Sequence, residues 1–287
     1  MRQLVVLILV ALSGCGFVQR TALRSANPVL ERVGARAERE TDYDLAAQGI
    51  PGTILLIEGL LETSPNDATL RLLAARSIVG YALGFVEDEN PQRGGQLHLR
   101  GRDHAFHVLD RRNKRFYEAR TTGTIDEFRE AVADFDSGDV EALFWAASGW
   151  GSWINLSLHV TDALADLPRV EILMARVLEL DETYYFAGPH LFFGTYYSAR
   201  SKMLGGDPDR GRHHFEKVFE FTDNRLLIAH VLYAQHYARL TWDEDLFVEE
   251  LEWVISQPDD IYPESGLTNA IAKRRAARLL GMREEWF

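Results

Sequence analysis

The chain of 287 residues has one cysteine, nine prolines and no long apolar run after its first few residues. A single thiol excludes an internal disulfide and a cysteine-rich zinc site. Basic side chains are in deficit, 31 Lys and Arg against 43 Asp and Glu, for a net charge of −12. That balance excludes a broad nucleic-acid surface, which needs a basic face. Val-rich alternating stretches and Asn-Gly hairpin signals are missing, which argues against a β-rich fold. With no apolar stretch of membrane-spanning length in the body, no transmembrane helix is expected there. No phosphate loop, Gly-x-Ser-x-Gly or His-Glu-x-x-His occurs, so no enzyme, metal or cofactor site is expected.

What is present begins with an address. Residues 1–14 hold Arg2 and an apolar stretch, Leu4 to Leu12, too short to span a bilayer. Leu12-Ser13-Gly14-Cys15 resembles a bacterial lipobox, and Cys15 stands where the lipid-accepting residue belongs. The expectation is a signal peptide over residues 1–14 and a mature chain anchored by lipid at Cys15. The body then lies on the periplasmic side of the envelope. Gly16, rather than Asp, after the cysteine favours the outer membrane. Residues 15–42 are polar and Arg-rich and read as a tether ending in a short helix.

Residues 43–287 read as one helical domain with a hydrophobic content, 46% over the whole chain, sufficient for a large core. Leu70, Leu73, Ala74, Ile78, Tyr81, Ala82 and Phe85 recur at three- and four-residue steps, one face of a helix. A helix over 53–62 precedes it, and Ser64-Pro65-Asn66-Asp67 separates the two with a stop and a cap. Further pairs are expected at 168–180 with 183–204, 208–221 with 225–240, and 244–257 with 265–280. Gly211, Phe215 and Val218 repeat as Phe247, Leu251 and Val254 after 36 residues. The fold class is therefore all-α, with cryptic tetratricopeptide-like hairpin repeats forming a compact solenoid. A plain helical bundle is the alternative.

Between these pairs, 97–120 reads as one basic helix, 125–135 as an acidic one that pairs with the basic run 111–115, and 140–158 as strongly apolar. The nine histidines, including His104, His107 and the His213-His214 pair, lack carboxylates at ligand spacing and are expected at the surface or at caps. Two aromatic stretches stand out. Phe144 to Ile154 sets Trp145, Trp150 and Trp153 among Gly, Ala and Ser, with Trp150 and Trp153 on one helical face. Tyr184 to Phe193 adds Tyr184, Tyr185 and Phe192, and Pro189 is expected to kink its helix. These six rings are the candidate lining of an apolar cavity, and close core packing is the other reading.

Taken in order, several stretches carry a resemblance. They are Leu56-Ile57-Glu58-Gly59-Leu60 with Pro65, Tyr81 to Glu87, Leu143 to Ile154, Asp166 to Glu171, Leu180 to Tyr185, and Gly205-Gly206-Asp207-Pro208. Together with the lipobox and the cryptic repeats, they make the chain similar to the T components (TatT family) of tripartite ATP-independent periplasmic (TRAP) transporters. The resemblance implies an all-helical repeat fold, a homotrimer and a hydrophobic pore through each protomer. It also implies association with the transporter's periplasmic solute-binding protein, and a role in holding or passing a hydrophobic organic ligand. A tetratricopeptide-type interaction scaffold without a small-molecule site is the rival function.

Overall fold

The computed structural model describes residues 27–287 except 159, 201, 203 and 204. The expected signal peptide, Cys15 and the first part of the tether lie outside the described residues. Among the described residues all regular structure is helical. Residues 27–38 form α1. There follow α2 (Tyr43–Thr63), α3 (Ala68–Phe85), α4 (Pro91–Arg112), α5 (Lys114–Thr122), α6 (Ile125–Ala133) and α7 (Val140–Leu156). After these come α8 (Thr161–Ala165), α9 (Leu167–Leu180), α10 (Tyr184–Ser198) and α11 (Pro208–Thr222). The C-terminal part holds α12 (Leu227–Leu232) running into a π turn (Tyr233–Ala238), α13 (Arg239–Thr241), α14 (Glu244–Ser256), α15 (Gly266–Leu280) and α16 (Arg283–Trp286).

Side chains that accept from the first free backbone N–H groups fix where most of these helices start. Asp67 accepts from Leu70 at 3.1 Å, Asp207 from Arg210 at 3.2 Å with Pro208 following it, and Asp243 from Leu246 at 3.0 Å. Asn113 divides the expected basic helix in two, because its side chain leaves the end of α4 to accept from Phe116 at the start of α5. Thr124 and Glu127 form a capping box at α6. The basic run does meet the acidic helix: Arg115 pairs with Glu130 and Asp134, and Arg112 with Asp136 and Asp139.

Two expectations about proline are corrected. The first long helix starts at Tyr43, not Thr53, and carries Pro51 inside it. The Asp42 cap and nearly three further turns of hydrogen bonds outweigh the single bond that Pro51 removes. Pro189 does not kink a helix. Tyr185, Phe186 and Ala187 form a left-handed turn (φ 48°, 60° and 57°), and the right-handed helix begins after them, with Pro189 in its first turn.

Neighbouring helices pack in chain order. α2 lies on α3, α3 on α4, α4 on α7, α7 on α9, α10 on α11 and α14 on α15, and α15 returns to touch α2. Three apolar clusters result: one over α3 to α10, one over α10 to α16 and a small one between α2 and α3. Glycine sets the closest approaches. A Cβ on Gly149 of α7 would lie 2.8 Å from the His98 carbonyl of α4. The α15 end is tied back by Arg275, which is 7% exposed and holds Glu87 at 2.8 Å and Asp88 at 2.9 Å. Burial alone would lower the Arg275 pKa, but its bonds to Asp88 and Glu87 hold it above its ordinary value. By length and composition α2 is long and apolar enough to cross a membrane, contrary to the expectation for the body. Leu45, Leu55 and Leu56 are exposed on it.

Candidate functional site

α7 and α10 meet around a group of rings. Phe144 is central. Its centroid lies 5.1 Å from Trp145, 5.2 Å from Tyr184 and 5.7 Å from Tyr185. Trp145 and Tyr185 meet edge to face at 4.9 Å, a favoured aromatic arrangement. Gly188 makes room, since a Cβ there would press into the Phe144 ring at 2.6 Å. Phe186 carries the contact on to Tyr262, near the start of α15, at 5.4 Å. The left-handed turn is what turns Tyr185 and Phe186 toward these partners, at a cost of about 1–2 kcal/mol for each non-glycine residue held there.

Of the six candidate lining residues, the structure brings Trp145, Tyr184 and Tyr185 together and sets the other three apart. Trp150, 5% exposed, turns to α4, edge-on to Phe106 at 5.4 Å with the Arg102 guanidinium over its ring. Trp153 faces the same helix at Gly95. The shared face of these two indoles is thus a helix contact. Phe192 stacks on Tyr196 at 5.7 Å and borders Gly151.

Polar groups surround the ring group. α1 brings Glu38, whose carboxylate accepts from the Tyr185 hydroxyl at 3.4 Å and lies 3.7 Å from Arg76 of α3. Gly34 lets the Arg76 guanidinium lie against the α1 backbone, 2.9 Å from where a Cβ would stand. Glu141, in the first turn of α7, is half-buried, and burial raises its pKa while Arg76 opposes the rise. Burial also raises the Tyr184 and Tyr185 hydroxyls, with the negative charges of Glu141 and Glu38 adding to it. The Trp150 indole N–H is buried without an acceptor, whereas that of Trp145 points to the Tyr184 hydroxyl.

Tyr185 and His236 are each partly accessible. His236 stands on the π turn, which packs against α10, and burial followed by the charges of Arg275 and Arg239 lowers its pKa to about 4. π turns insert one extra residue into a helix and often occur at functional sites.

Sequence reasoning missed Glu38, Arg76, Glu141 and His236. The available signal was an ionisable residue inside a strongly apolar helix, as Arg76 is in α3 and Glu141 in α7. Surface placement of the histidines is also corrected. His98, His104, His190, His214 and His230 are all buried. Four of them use a carboxylate to satisfy a ring nitrogen: Glu87, Glu58, Glu182 and Glu250 respectively for His98, His104, His190 and His230. A histidine with such a partner is tolerated inside a core.

Successive packed helices around an aromatic interior define an all-helical protein. The chain belongs to the TAtT family, the TRAP transporter T-components, whose model matches residues 39–287. A protein of Treponema pallidum (strain Nichols), described as uncharacterized, is 22% identical over 263 residues, covering 86% of this chain and 81% of that protein. Membership makes the chain an accessory protein of a TRAP transporter in the cell envelope. The family is one of transporter accessory proteins and not of enzymes.

Proposed function

We propose that this protein is a lipoprotein, anchored through Cys15, that holds or hands on a hydrophobic organic ligand for a TRAP transporter and docks its periplasmic solute-binding protein. Residues 1–14 are the cleaved signal, residues 15–42 the tether and residues 43–287 the helical domain, stacked as cryptic tetratricopeptide-like pairs into a compact solenoid. Gly16 after the cysteine favours the outer membrane. The ligand occupies a chamber inside the solenoid, walled first by Trp145, Tyr184 and Tyr185. Trp150, Trp153 and Phe192 pack behind it, the two indoles against α4.

One observation carries this reading. Phe144, Trp145, Tyr184 and Tyr185 gather between α7 and α10 with Glu38 and Arg76 beside them, the combination of rings and a few polar groups that ligand sites use. The homotrimer is supported by the open face of α2. There Leu45, Leu55 and Leu56 are exposed, and Gly49, Gly52 and Gly59 have no neighbour within 4 Å of a Cβ position. An apolar face of that kind suits a protein contact.

A scaffold role is favoured by a different feature. A groove of about 490 Å³ on α14, lined by Asp245, Val248, Glu249, Glu252, Trp253, Ser256 and Arg283, could receive a partner's segment. Cross-linking and capture of the full-length tagged protein in cells separates the two functions. Recovery of a solute-binding protein supports the transporter role. Recovery of envelope assembly factors without it supports the scaffold.

A further inference from the structure

The groove of about 490 Å³ along α14 has Val248 and Trp253 as its apolar lining. The Trp253 ring is fixed by packing. It lies 4.4 Å from His230, which is 6% exposed and stacks in turn on Phe219 at 4.3 Å. A ring held in this way loses little freedom when a partner covers it. Just before the start of the same helix, Trp242 is 73% exposed in a left-handed conformation (φ 57°). Its ring stands 6.2 Å from Phe287, which packs on Phe247 of α14 at 5.3 Å. An indole left open to water on strained backbone adds little to the isolated fold, and tryptophan is enriched at the energetic centres of protein contacts.

The charge of the groove is one-sided. Asp245, Glu249 and Glu252 line it at i, i+4 and i+7, over about 10 Å of helix. Arg283, the cation in the lining, is taken by Glu244 at 2.6 Å, and Asp245 and Glu252 act on it only at longer range. Among the described residues no cation pairs directly with the three carboxylates. The acids of α6 are matched by contrast, Glu130 and Asp134 both pairing with Arg115. Asp245 gains from the helix dipole in the first turn of α14, but Glu249 and Glu252 lie past it, and like charges at this spacing repel.

We propose that this face docks a helical segment of a partner protein, one that carries Lys or Arg at three- and four-residue steps beside an apolar side chain. The cations meet Asp245, Glu249 and Glu252, the apolar side chain meets Val248 and Trp253, and Trp242 extends the contact past the start of α14. An amphipathic helix laid in a groove is a recurring mode of recognition. The inference rests on the groove named above for the scaffold role and supplies the chemistry of the segment that enters it.

Fluorescence anisotropy of the full chain with labelled helical peptides of about 18 residues tests it. The three peptides share two leucines and differ only in carrying Lys, Gln or Glu at i, i+4 and i+7. The Lys peptide is expected to bind about tenfold more tightly than the Gln peptide, and the Glu peptide more weakly still. The triple variant Asp245→Asn, Glu249→Gln, Glu252→Gln should abolish the preference while leaving the Gln peptide unchanged. A control triple, Glu62→Gln, Asp209→Asn, Asp260→Asn, removes the same charge from other exposed positions and should keep the preference. Val248→Asn should weaken the Lys and Gln peptides alike. Equal binding of the three peptides, or equal loss in both triple variants, overturns the cationic segment and leaves the groove standing as a docking site. No binding of any peptide overturns the docking site as well.

Discussion

His190 and His214 face each other with their Nδ1 atoms 2.9 Å apart, so at most one of these two nitrogens carries a proton while the contact lasts. Burial, and then the neighbouring His190 and His213, lower the His214 pKa to about 4, and burial lowers His190 as well. Unfolded histidine titrates near its ordinary value of 6.5. Below that pH the unfolded chain binds protons that the native pair refuses. This contribution to stability is present in full above about pH 6.5 and is lost as pH falls from there toward about 4. Thermal unfolding followed across that window should show a falling Tm. His214→Gln should flatten part of the slope, the remainder belonging to other buried histidines such as His236. An unchanged slope in the variant would contradict the assignment.

Gly211 argues the same kind of case from packing. A Cβ there would overlap the buried Ser198 hydroxyl and come within 3.2 Å of the Gly194 carbonyl, where α11 crosses α10. Gly211→Ala is expected to cost about 1–3 kcal/mol by overpacking. The paired change Gly211→Ala with Ser198→Ala should recover much of it in urea unfolding.

At the scale of elements, α2 presents the clearest mismatch between composition and surroundings. Its inner side packs Ile54, Ile57 and Leu61 against α3, while Leu55 and Leu56 remain 68% and 54% exposed. If this face joins protomers, Leu55→Asp with Leu56→Asp should dissociate the trimer into folded monomers in analytical ultracentrifugation. A wild-type chain that is monomeric after removal of its lipid, with the two leucines needed only for vesicle binding, would assign the face to a membrane surface instead.

Most helices were legible in the sequence because their signals are local. Asp67, Asp207 and Asp243 announce starts, and three- and four-residue apolar steps announce the buried faces. The left-handed turn at Tyr185 to Ala187 was not legible. None of its residues favours that conformation, and it persists because Phe144 and Trp145, Glu38 and Tyr262 hold the side chains from three separate parts of the chain. The aromatic site was half legible for a related reason. Residue type marked the rings, but only tertiary packing turned Trp150 and Trp153 onto α4 and brought Glu38 and Arg76 beside Tyr185.

At the scale of the molecule, α15 is joined by charge to the turn between α3 and α4. Arg275 and Arg278 on α15 share Asp88, and Arg275 also holds Glu87, whose carboxylate lies 2.8 Å from His98 Nε2. Burial would raise the Asp88 pKa, but the bonds and charges of Arg275 and Arg278 outweigh it and hold it below its ordinary value. Replacing Arg275 by Met leaves Asp88 only Arg278 and Glu87 only His98 at this junction, at an expected cost of about 3 kcal/mol. The closing contact between α15 and the α3–α4 turn should then show faster amide exchange than the α4–α7 pair. Uniform exchange across both would mean that the junction does not close the fold.

The central claim is that the helical frame encloses an occupied apolar chamber. Native mass spectrometry of the full-length protein, released from its own membranes in mild detergent, tests it most directly. The account predicts a lipid-modified polypeptide assembled in threes, each protomer carrying one small organic molecule that exchanges with an added medium-chain fatty acid used as probe. Protomers of bare polypeptide mass plus anchor, taking up no probe at any concentration below its micelle threshold, would contradict it.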